Sequence, residues 1–330
     1  MAVKLAFIGL KGHQYVVLEA IPGLPGAEVI AVADDDPKAL KRVAHFPGAT
    51  PATKTYLSYE ELLGNHRPDI VVEAGVDRDR ADVIAACAER GIHVVCEKPL
   101  ANDLPGLERV AKAVCGSGIK CSALLTMRLE PQYIAMREAI ATGIIGEVTQ
   151  GSGQKSYRLG QRPPWQKSRE TFSGIIPYIG IHVMDLLRWC TGREYVDIMA
   201  YASSIGRPDI GDLENNACIV ARLDNGASAG FRLDYCRPDA APTHGDDRLR
   251  VAGSQGVIEV LDERVTVITN DEGPVVLRLP PPVSFFPDFV KAVQRNREPY
   301  IPFADCVRMT EVVLRTRESA ETGRPAKLTP

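Results

Sequence analysis

Apolar positions in the first part of the chain fall into short runs separated by stretches of helical spacing. Continuous apolar runs, typical of buried parallel strands, occur in "VKLAFIGL", "EVIAVADDD", "DIVVEAGV", "IHVVCEKP" and "IKCSALLT". Between them, apolar residues three or four positions apart predict helices in "HQYVVLEAIPGL", "PKALKRVAHF", "RADVIAACAERG" and "LPGLERVAKAVCGSG". Strands alternating with helices in this way predict a doubly wound parallel sheet with right-handed crossovers.

The pattern changes from about Glu147 onward, where strand-like segments dominate. They are "EVTQGSGQKSY", "VDIMAYASS", "NACIVARLDNGASAGFRLDYC", "DRLRVAGSQGVIEVLDERVTVIT" and "VVLRL". The stretches "LDNGAS" and "GSQG" are turn signals between strands. Helical spacing returns over residues 288–296 and 304–322. The 330 residues are about twice the length of a typical domain, so two domains are expected.

Composition and charge narrow the class of protein. The chain is 45% hydrophobic and 25% charged, as in soluble globular proteins, and its net charge of -3 gives no basic excess for nucleic acid or an anionic membrane. Its eight cysteines form no C-x-x-C pair, which favours reduced thiols in a cytoplasmic protein over disulfides or a metal site. No apolar run is long enough for a membrane span.

The predicted strand ends carry the first candidate site, because ligands of doubly wound sheets bind at the carboxyl ends of the strands. Those ends are Gly9, Asp34, Gly75 and the pair Glu97–Lys98. The first turn, a candidate for cofactor binding, consists of Gly9, Leu10, Lys11, Gly12 and His13. It keeps only the first glycine of the dinucleotide fingerprint G-x-G-x-x-G in register, so a generic strand-to-helix turn remains the alternative.

Asp34 strengthens the prediction of a dinucleotide site. It closes the second strand about 25 residues after Gly9, where an acid typically binds the adenosine ribose hydroxyls. Asp35 and Asp36 follow it, and three acids oppose a 2′-phosphate, so NAD is favoured over NADP. Acids at a helix N-terminus, where they favour the helix dipole, are the alternative interpretation of Asp35 and Asp36.

Two longer motifs identify a family resemblance. The stretches "GIHVVCEKPLA" and "SGIIPYIGIHVMDLLRWCTG", supported by "GSQGVIEV" and "RESAETGRPAKL", resemble the glucose–fructose oxidoreductase/inositol dehydrogenase (Gfo/Idh/MocA) family. The resemblance implies an α/β fold with a Rossmann domain over residues 1–124. It also implies a substrate-binding and oligomerisation domain over 125–330, an α/β domain with a large, mostly antiparallel open sheet. Pairing through that sheet would give a homodimer or homotetramer.

The resemblance also implies roles for residues at the matching positions. Lys98 is expected beside the nicotinamide, with its ammonium on the substrate oxygen, and Glu97 on the nicotinamide ribose. His182 matches the catalytic histidine, a proton acceptor near neutral pH. Tyr178 replaces an acid of the family motif, either as a hydrogen-bond donor to the substrate or as a packing residue. A cis Lys98–Pro99 bond is compatible with the motif.

The remaining candidate residues concern the substrate and the cofactor. Gly75 and Val76 follow the fourth strand at the cofactor, where Val76 stands in place of the family's proline and Arg80 in place of its histidine. Candidates for binding the substrate are Arg128, Tyr157, Trp165, Asp185 and His244. Asp185 is placed to orient His182 as its i+3 neighbour on a helix.

The resulting functional hypothesis is hydride transfer between the nicotinamide of NAD and a hydroxyl carbon of a sugar, an inositol, or a related polyol or sugar acid. Lys98 and His182 are its expected catalytic pair. One alternative is a hydrolase or lyase that oxidises its sugar transiently and re-reduces it with tightly held NAD. A second alternative is a nucleotide-sensing regulator without turnover.

Overall fold

The computed structural model describes residues 3–329, so residues 1–2 and 330 of the predicted domain ranges lie outside the described residues. The chain divides into two compact units. The first comprises the residues up to Leu124 together with Ser284–Thr310, and the second comprises Leu125–Val283 and the residues from Glu311 onward. The chain leaves the first unit after Leu124, which is where the sequence divides the predicted domains.

The first unit is built on a six-stranded parallel sheet with the strand order β3-β2-β1-β4-β5-β6. Its strands are β1 (Val3–Ile8), β2 (Ala27–Ala33), β3 (Ala49–Tyr56), β4 (Ile70–Glu73), β5 (His93–Cys96) and β6 (Cys121–Ala123). The central strand β4 is buried along its whole length, as its continuous apolar run predicts. The doubly wound parallel sheet predicted from the sequence is therefore confirmed.

Helices connect these strands. They are α1 (Tyr15–Leu18), α2 (Pro37–Leu40), α3 (Tyr59–Asn65), α4 (Asp77–Ala88) and α5 (Leu104–Ser117). The ends of α5 follow the usual chemistry, because Asp103 accepts a hydrogen bond from the Gly106 N–H at 2.7 Å and Gly118 ends the helix in the left-handed conformation. The first predicted helix is shorter than expected: α1 is one turn, followed by a 3₁₀ turn over Ile21–Gly23.

The second unit is built on a nine-stranded sheet with the order β14-β13-β12-β11-β7-β10-β9-β8-β15. Its strands are β7 (Val148–Tyr157), β8 (Tyr195–Ser203), β9 (Asn216–Leu223), β10 (Ser228–Asp234), β11 (Gly245–Gly253), β12 (Gly256–Leu261), β13 (Arg264–Thr269), β14 (Val275–Val276) and β15 (Ala326–Lys327). Neighbouring described strands run antiparallel except β7 and β10, which are parallel. The predicted large, mostly antiparallel sheet is thus confirmed.

Four further α-helices lie within residues 3–329. They are α6 (Pro131–Ala141), α7 (Ile181–Thr191), α8 (Phe285–Arg295) and α9 (Phe303–Thr322). In the second unit α6 and α7 pack against each other, and α7 also packs on β7 and β11. None of the helices described between residues 3 and 329 is long and apolar enough to cross a lipid bilayer.

The position of α8 corrects the predicted domain range of 125–330. This helix lies in the first unit, where it packs against α1 and buries Phe285, Phe286 and Phe289. The residues after α8 belong to the same unit, where the Ser122 hydroxyl donates to the Ile301 carbonyl at 2.8 Å. An amphipathic helix shows that it needs an apolar surface, but not which surface it covers. Residues 284–310 therefore belong to the first unit although they follow the second in sequence.

Candidate active site

The carboxyl edge of the first sheet gathers the residues that the sequence predicts for a cofactor. Because β1, β2, β4 and β5 are parallel neighbours, their carboxyl ends lie along one edge. Gly9, Asp34 and Glu97 directly follow three of these strands, and Gly75 lies two residues after the fourth. Asp34, Glu97 and Lys98 are all buried there. Buried charged groups at a strand edge mark it as the candidate site of this unit.

Gly9 brings two turns of this edge into backbone contact. Its φ of +78° is left-handed, and a Cβ atom there would lie 2.3 Å from the Gly75 Cα atom. The Gly75 N–H in turn donates to the Glu73 carboxylate at 2.7 Å. Only glycine meets both requirements at Gly9, so the first glycine of the turn is explained by its close approach to the turn after β4.

Gly12, which is out of register with the dinucleotide fingerprint, leaves room for the side chain of Glu97. A Cβ atom at Gly12 would lie 2.5 Å from Glu97 Oε1, and the same oxygen contacts the backbone N–H and the Nδ1 atom of His13. Burial would raise the pKa of Glu97, but His13 and the charge of Lys98 hold it well below its usual range. Glu97 is therefore a carboxylate bound to the first turn, and any contact with a ribose is made in addition to His13.

Asp34 has a buried carboxylate that is oriented by two backbone N–H groups. Its Oδ2 accepts from Leu10 at 2.7 Å and its Oδ1 from Asp36 at 2.8 Å. Lys11 lies beside it, with Nζ 3.6 Å from Asp34 Oδ1 and in direct contact with Asp35. The hydrogen bond from Lys11 lowers the pKa of Asp35. One of the three predicted acidic charges is thus offset by a lysine.

Asp36 has the alternative role considered from the sequence. It is the N-cap of α2, and its side chain accepts a hydrogen bond from the Lys38 N–H at 2.8 Å. It therefore serves the helix, which leaves Asp34 and Asp35 as the acids that bear on cofactor choice.

These residues fit NAD. The Asp34 carboxylate is held at the end of β2, where the adenosine ribose hydroxyls of a dinucleotide bind. Gly9 itself has no side chain at the end of β1, and Glu97 and Lys98 supply opposite charges at the end of β5. Val76, which directly precedes α4, lies half-buried beside Gly75.

We expect NAD to bind more tightly than NADP, because Asp34 and Asp35 oppose a 2′-phosphate. A unit charge about 4 Å away is worth ~4 kcal/mol at an effective dielectric of 20, and Lys11 offsets part of this. The variant Lys11→Ala should therefore widen the preference for NAD, whereas Lys38→Ala, in the exposed first turn of α2, should leave it unchanged. Titration of each variant with both cofactors, followed by protein fluorescence, measures the ratio. Equal or tighter binding of NADP by the unmodified protein would contradict this expectation.

Lys98 is buried rather than solvated, with only 2% of its surface exposed. It follows β5, its backbone N–H donates to Glu97 Oε2 at 3.2 Å, and its peptide bond to Pro99 is cis. The next residue, Leu100, donates its N–H to the Thr310 hydroxyl at 3.1 Å. The turn that carries Lys98 is therefore tied down on both sides.

In the second unit, Tyr178 and His182 lie on one continuous helical segment. A short π-helix over Ile176–Gly180 contains Tyr178 and runs directly into α7, which contains His182. Tyr178 and His182 are four positions apart, which is close to one helical turn, so the two residues lie toward the same face of this segment. π-Helical turns inside helices occur frequently at functional sites.

The start of this segment is fixed by an ion pair. Gly174 has a φ of +92°, and a Cβ atom there would lie 2.1 Å from Arg169 Nη1. Arg169 Nη1 donates to the Ser173 carbonyl at 2.9 Å and pairs with Glu214, whose Oε2 accepts from the Ile175 N–H at 3.2 Å. The pair thus holds the turn that begins the helix of His182.

An aromatic cluster surrounds Tyr178. Its ring packs edge-on against Phe172 at 4.8 Å, and Phe172 packs against Trp165 at 5.6 Å. The amide of the buried Gln166 donates to the Tyr178 hydroxyl at 3.5 Å. Trp165 thus reaches Tyr178 through Phe172. No pattern in the sequence indicates this contact between Gln166 and Tyr178.

Arg128 and Asp185, two of the candidates for binding the substrate, form an ion pair with each other instead. Arg128 Nε donates to Asp185 Oδ2 at 2.7 Å, and Nη2 contacts the other carboxylate oxygen. The two residues are 0% and 1% exposed, respectively. A substrate group would have to replace a buried ion pair whose disruption costs ~3–5 kcal/mol. We therefore assign this pair to holding α7 in place.

Tyr157 and His244 come together near a polar cavity of about 480 Å³ in the second unit. Their rings stack at 5.3 Å, and the Tyr157 hydroxyl donates to Asp247 at 3.2 Å. Asp247 also binds the buried Lys155 at 2.6 Å. Glu130 lines the same cavity, and burial raises its pKa to about 7. Among residues 3–329, no group of three or more His, Cys, Asp or Glu side chains is arranged to hold a metal ion.

Comparisons with known proteins agree with this geometry. A model described as "Oxidoreductase family, NAD-binding Rossmann fold" matches residues 3–123, and one of the GFO/IDH/MocA C-terminal domain matches residues 133–259. An inositol 2-dehydrogenase of Rhizobium meliloti is 26% identical over 91% of this chain and 88% of its own. A scyllo-inositol 2-dehydrogenase (NAD(+)) of Bacillus subtilis is 23% identical over 99% of this chain and 96% of its own. A solved structure from Thermotoga maritima, described as an oxidoreductase, has a TM-score of 0.92 and 31% identity, covering 99% of this chain and 100% of its own.

Proposed function

The chain belongs to the Gfo/Idh/MocA family of oxidoreductases with an NAD-binding Rossmann fold, and from this membership we propose that it is a dehydrogenase acting on the CH–OH group of a sugar, an inositol, or a related polyol or sugar acid. The observation that carries the proposal is the buried, doubly anchored Lys98 at the carboxyl edge of the parallel sheet. Burial of an ammonium group costs free energy, and ionisable groups in such unfavourable positions are concentrated at functional sites.

In this proposal the residues of the chain divide the proton chemistry between them. NAD, when bound, supplies the acceptor for the hydride. The Lys98 ammonium donates a hydrogen bond to the reacting oxygen of the substrate and stabilises the charge that develops there. The imidazole of His182 accepts the hydroxyl proton, so that a carbonyl group remains. The Asp34 carboxylate binds and orients the adenosine ribose of the cofactor.

The substrate class is supported by the relatives and by the polar side chains of the second unit. Two of the relatives are named inositol 2-dehydrogenases. Tyr157 and His244 offer an aromatic surface with hydrogen-bonding groups, which suits a ring that carries several hydroxyls. Trp165 packs on Phe172, which in turn contacts Tyr178, and this cluster adds a second aromatic surface.

A substrate panel tests the proposed reaction. The protein is incubated with NAD and with inositols, sugars, sugar acids and polyols in turn, and NADH formation is followed by absorbance. We expect net NADH formation with at least one of these compounds. Turnover of a glycoside without NADH, together with nucleotide released on denaturation, would instead indicate a hydrolase or lyase that oxidises transiently. Binding of NAD without any turnover would favour a regulator.

We also propose that the protein is a homo-oligomer that pairs through the large sheet. Strand β9 alternates between buried and exposed positions, and its outward residue Val220 is 65% exposed. The cross-strand neighbours Tyr201 and Cys218 lie exposed on the same face. An exposed apolar sheet face of this kind is typical of an interaction surface. Light scattering at micromolar concentration measures the mass, and a monomer there would contradict the proposal.

A further inference from the structure

Arg80 occupies the position at which the family motif has a histidine, and its guanidinium is almost completely enclosed. The residue is 1% exposed, although it lies in the first turn of α4. Such burial is unusual for an arginine unless its charge and its N–H groups are all matched. The partners of Arg80 therefore show what the substitution does.

The guanidinium binds three separate segments at once. Nε donates to Glu73, the last residue of β4, at 2.7 Å. Nη1 donates to the Pro99 carbonyl, in the turn after β5, at 2.7 Å. Nη2 lies 3.3 Å from the Gly75 carbonyl and 3.1 Å from Asp77 at the start of α4. One side chain thus joins the ends of two neighbouring strands to the start of a helix.

Both geometry and charge require an arginine here. A guanidinium has five N–H donors in a fixed plane, whereas a histidine ring has two nitrogens and a lysine has a single flexible ammonium. Burial works against the charge of Arg80, but the carboxylates of Glu73 and Asp77 raise its pKa. The cation therefore remains charged in the interior and compensates two buried acids.

The contact with Pro99 connects this cluster to the proposed catalytic lysine. The Pro99 carbonyl is one residue beyond Lys98, and the Lys98 turn is also held by Glu97 before it and by the contact of Leu100 with Thr310 after it. The Gly75 carbonyl belongs to the turn that touches Gly9. Movement of Arg80 would therefore shift the Lys98 turn and the glycine turns together.

We propose that Arg80 is a positioning residue that fixes the Lys98 turn relative to the cofactor-binding turns at Gly9 and Gly75. It acts through Pro99, Gly75 and Glu73, and it does not touch the reacting atoms. The functional part of this inference rests on the proposed role of Lys98, whereas the structural part stands on the contacts of Arg80 alone.

The test measures the reactivity of Lys98 and needs no substrate. The protein without added cofactor is acetylated with a trace of isotopically labelled acetic anhydride, and the modified peptides are quantified by mass spectrometry. Arg80→Lys keeps the buried positive charge but loses the planar donors, so the Lys98 turn should loosen. We expect Lys98 acetylation to rise at least ~3-fold, while the exposed Lys112 serves as the internal standard.

Two further variants keep the result unambiguous. Arg109→Met removes an exposed arginine that pairs with Asp82 in the same unit, and it should leave Lys98 acetylation unchanged. Arg80→His, which supplies the residue of the family motif, is measured if Arg80→Lys fails to fold by circular dichroism. If the folded variants show wild-type acetylation of Lys98, the positioning role is overturned.

Turnover provides the functional arm. With a substrate from the panel, Arg80→Lys should lower kcat by ~10–100-fold, because a misplacement of about 1 Å is enough for such a loss. The KM for NAD should change less than kcat. Raised acetylation of Lys98 without any loss of kcat would retain the structural contact but overturn the functional part of the inference. Failure of the proposed role of Lys98 is seen separately, as near-normal turnover of Lys98→Met, so the two failures are distinguishable.

Discussion

Lys98→Met is expected to abolish turnover while NAD affinity stays within about tenfold, or ~1.4 kcal/mol. Methionine keeps most of the length of the side chain, so the loss isolates the ammonium group. Removal of one donor that stabilises charge on a reacting oxygen typically costs ~10²–10³-fold in kcat. NAD binding should persist because Asp34, Glu97 and the glycine turns are unchanged, and Glu97 retains its contact with His13.

The measurement combines kcat, obtained with the best compound of the substrate panel, with a fluorescence titration of NAD. Lys112→Met, an exposed substitution in α5, is the matched control and should behave as the unmodified protein. Near-normal turnover of Lys98→Met would make Lys98 a structural residue, and the central functional assignment would fail with it.

The pattern of apolar residues predicts the strands of the first sheet only where those strands are buried. The strands β4 and β5 have continuous apolar runs that predict them, whereas no pattern in the sequence predicts β3. Strand β3 lies at the edge of the sheet, and most of its residues are exposed or half-buried. Its sequence, "ATPATKTY", therefore contains no apolar run, although its threonines suit a strand.

Long-range contacts explain most of what the sequence could not show. Gly12 appears misplaced in the first turn until Glu97, 85 positions later, is seen to fill the space above it. Likewise, nothing in the sequence tells that the carboxylate of Asp185 pairs with Arg128 rather than with a ligand. Charged residues reveal their chemistry from sequence, but their partners are set by the fold.

The position of α8 has a similar cause. Its apolar stripe predicted a helix near 288–296, and the structure begins that helix at Phe285. The stripe does not show which unit the helix covers. Because residues 284–310 follow the second unit in sequence, chain order assigns the helix to that unit, whereas it lies in the first. Chain order is a reasonable default for domains, and it fails when the chain returns to an earlier unit.

His182→Ala is expected to erase the rise of the oxidation rate with pH and to lower the rate by ~100-fold or more. An imidazole ordinarily has a pKa of about 6.5 and accepts a proton only when it is neutral. The rate of the unmodified enzyme should therefore be low at acidic pH and rise as His182 loses its proton. The profile of kcat from pH 5 to pH 9 measures this rise, which is the acidic limb of the pH–rate profile.

Glu130 must be separated from His182 in that experiment. Burial raises its pKa to about 7, so it loses its proton in the same pH range. Glu130→Gln keeps the size and polarity of the side chain and removes the titration, which makes it the matched control. If His182 is the base, the limb survives in Glu130→Gln. A limb that disappears there but persists in His182→Ala would belong to Glu130.

Tyr178→Phe completes the comparison, because it removes only a hydroxyl and keeps the ring that packs against Phe172. If the phenol donates a hydrogen bond to the substrate, the loss should be milder than in His182→Ala, since the base remains. A phenol ordinarily titrates near pH 10, so Tyr178 would need a large shift to act as the base at neutral pH. Were it nevertheless the proton acceptor, Tyr178→Phe would be the crippling change and His182→Ala would keep the pH limb. If neither variant loses more than a few-fold in rate, the helix that carries both residues is not the catalytic centre.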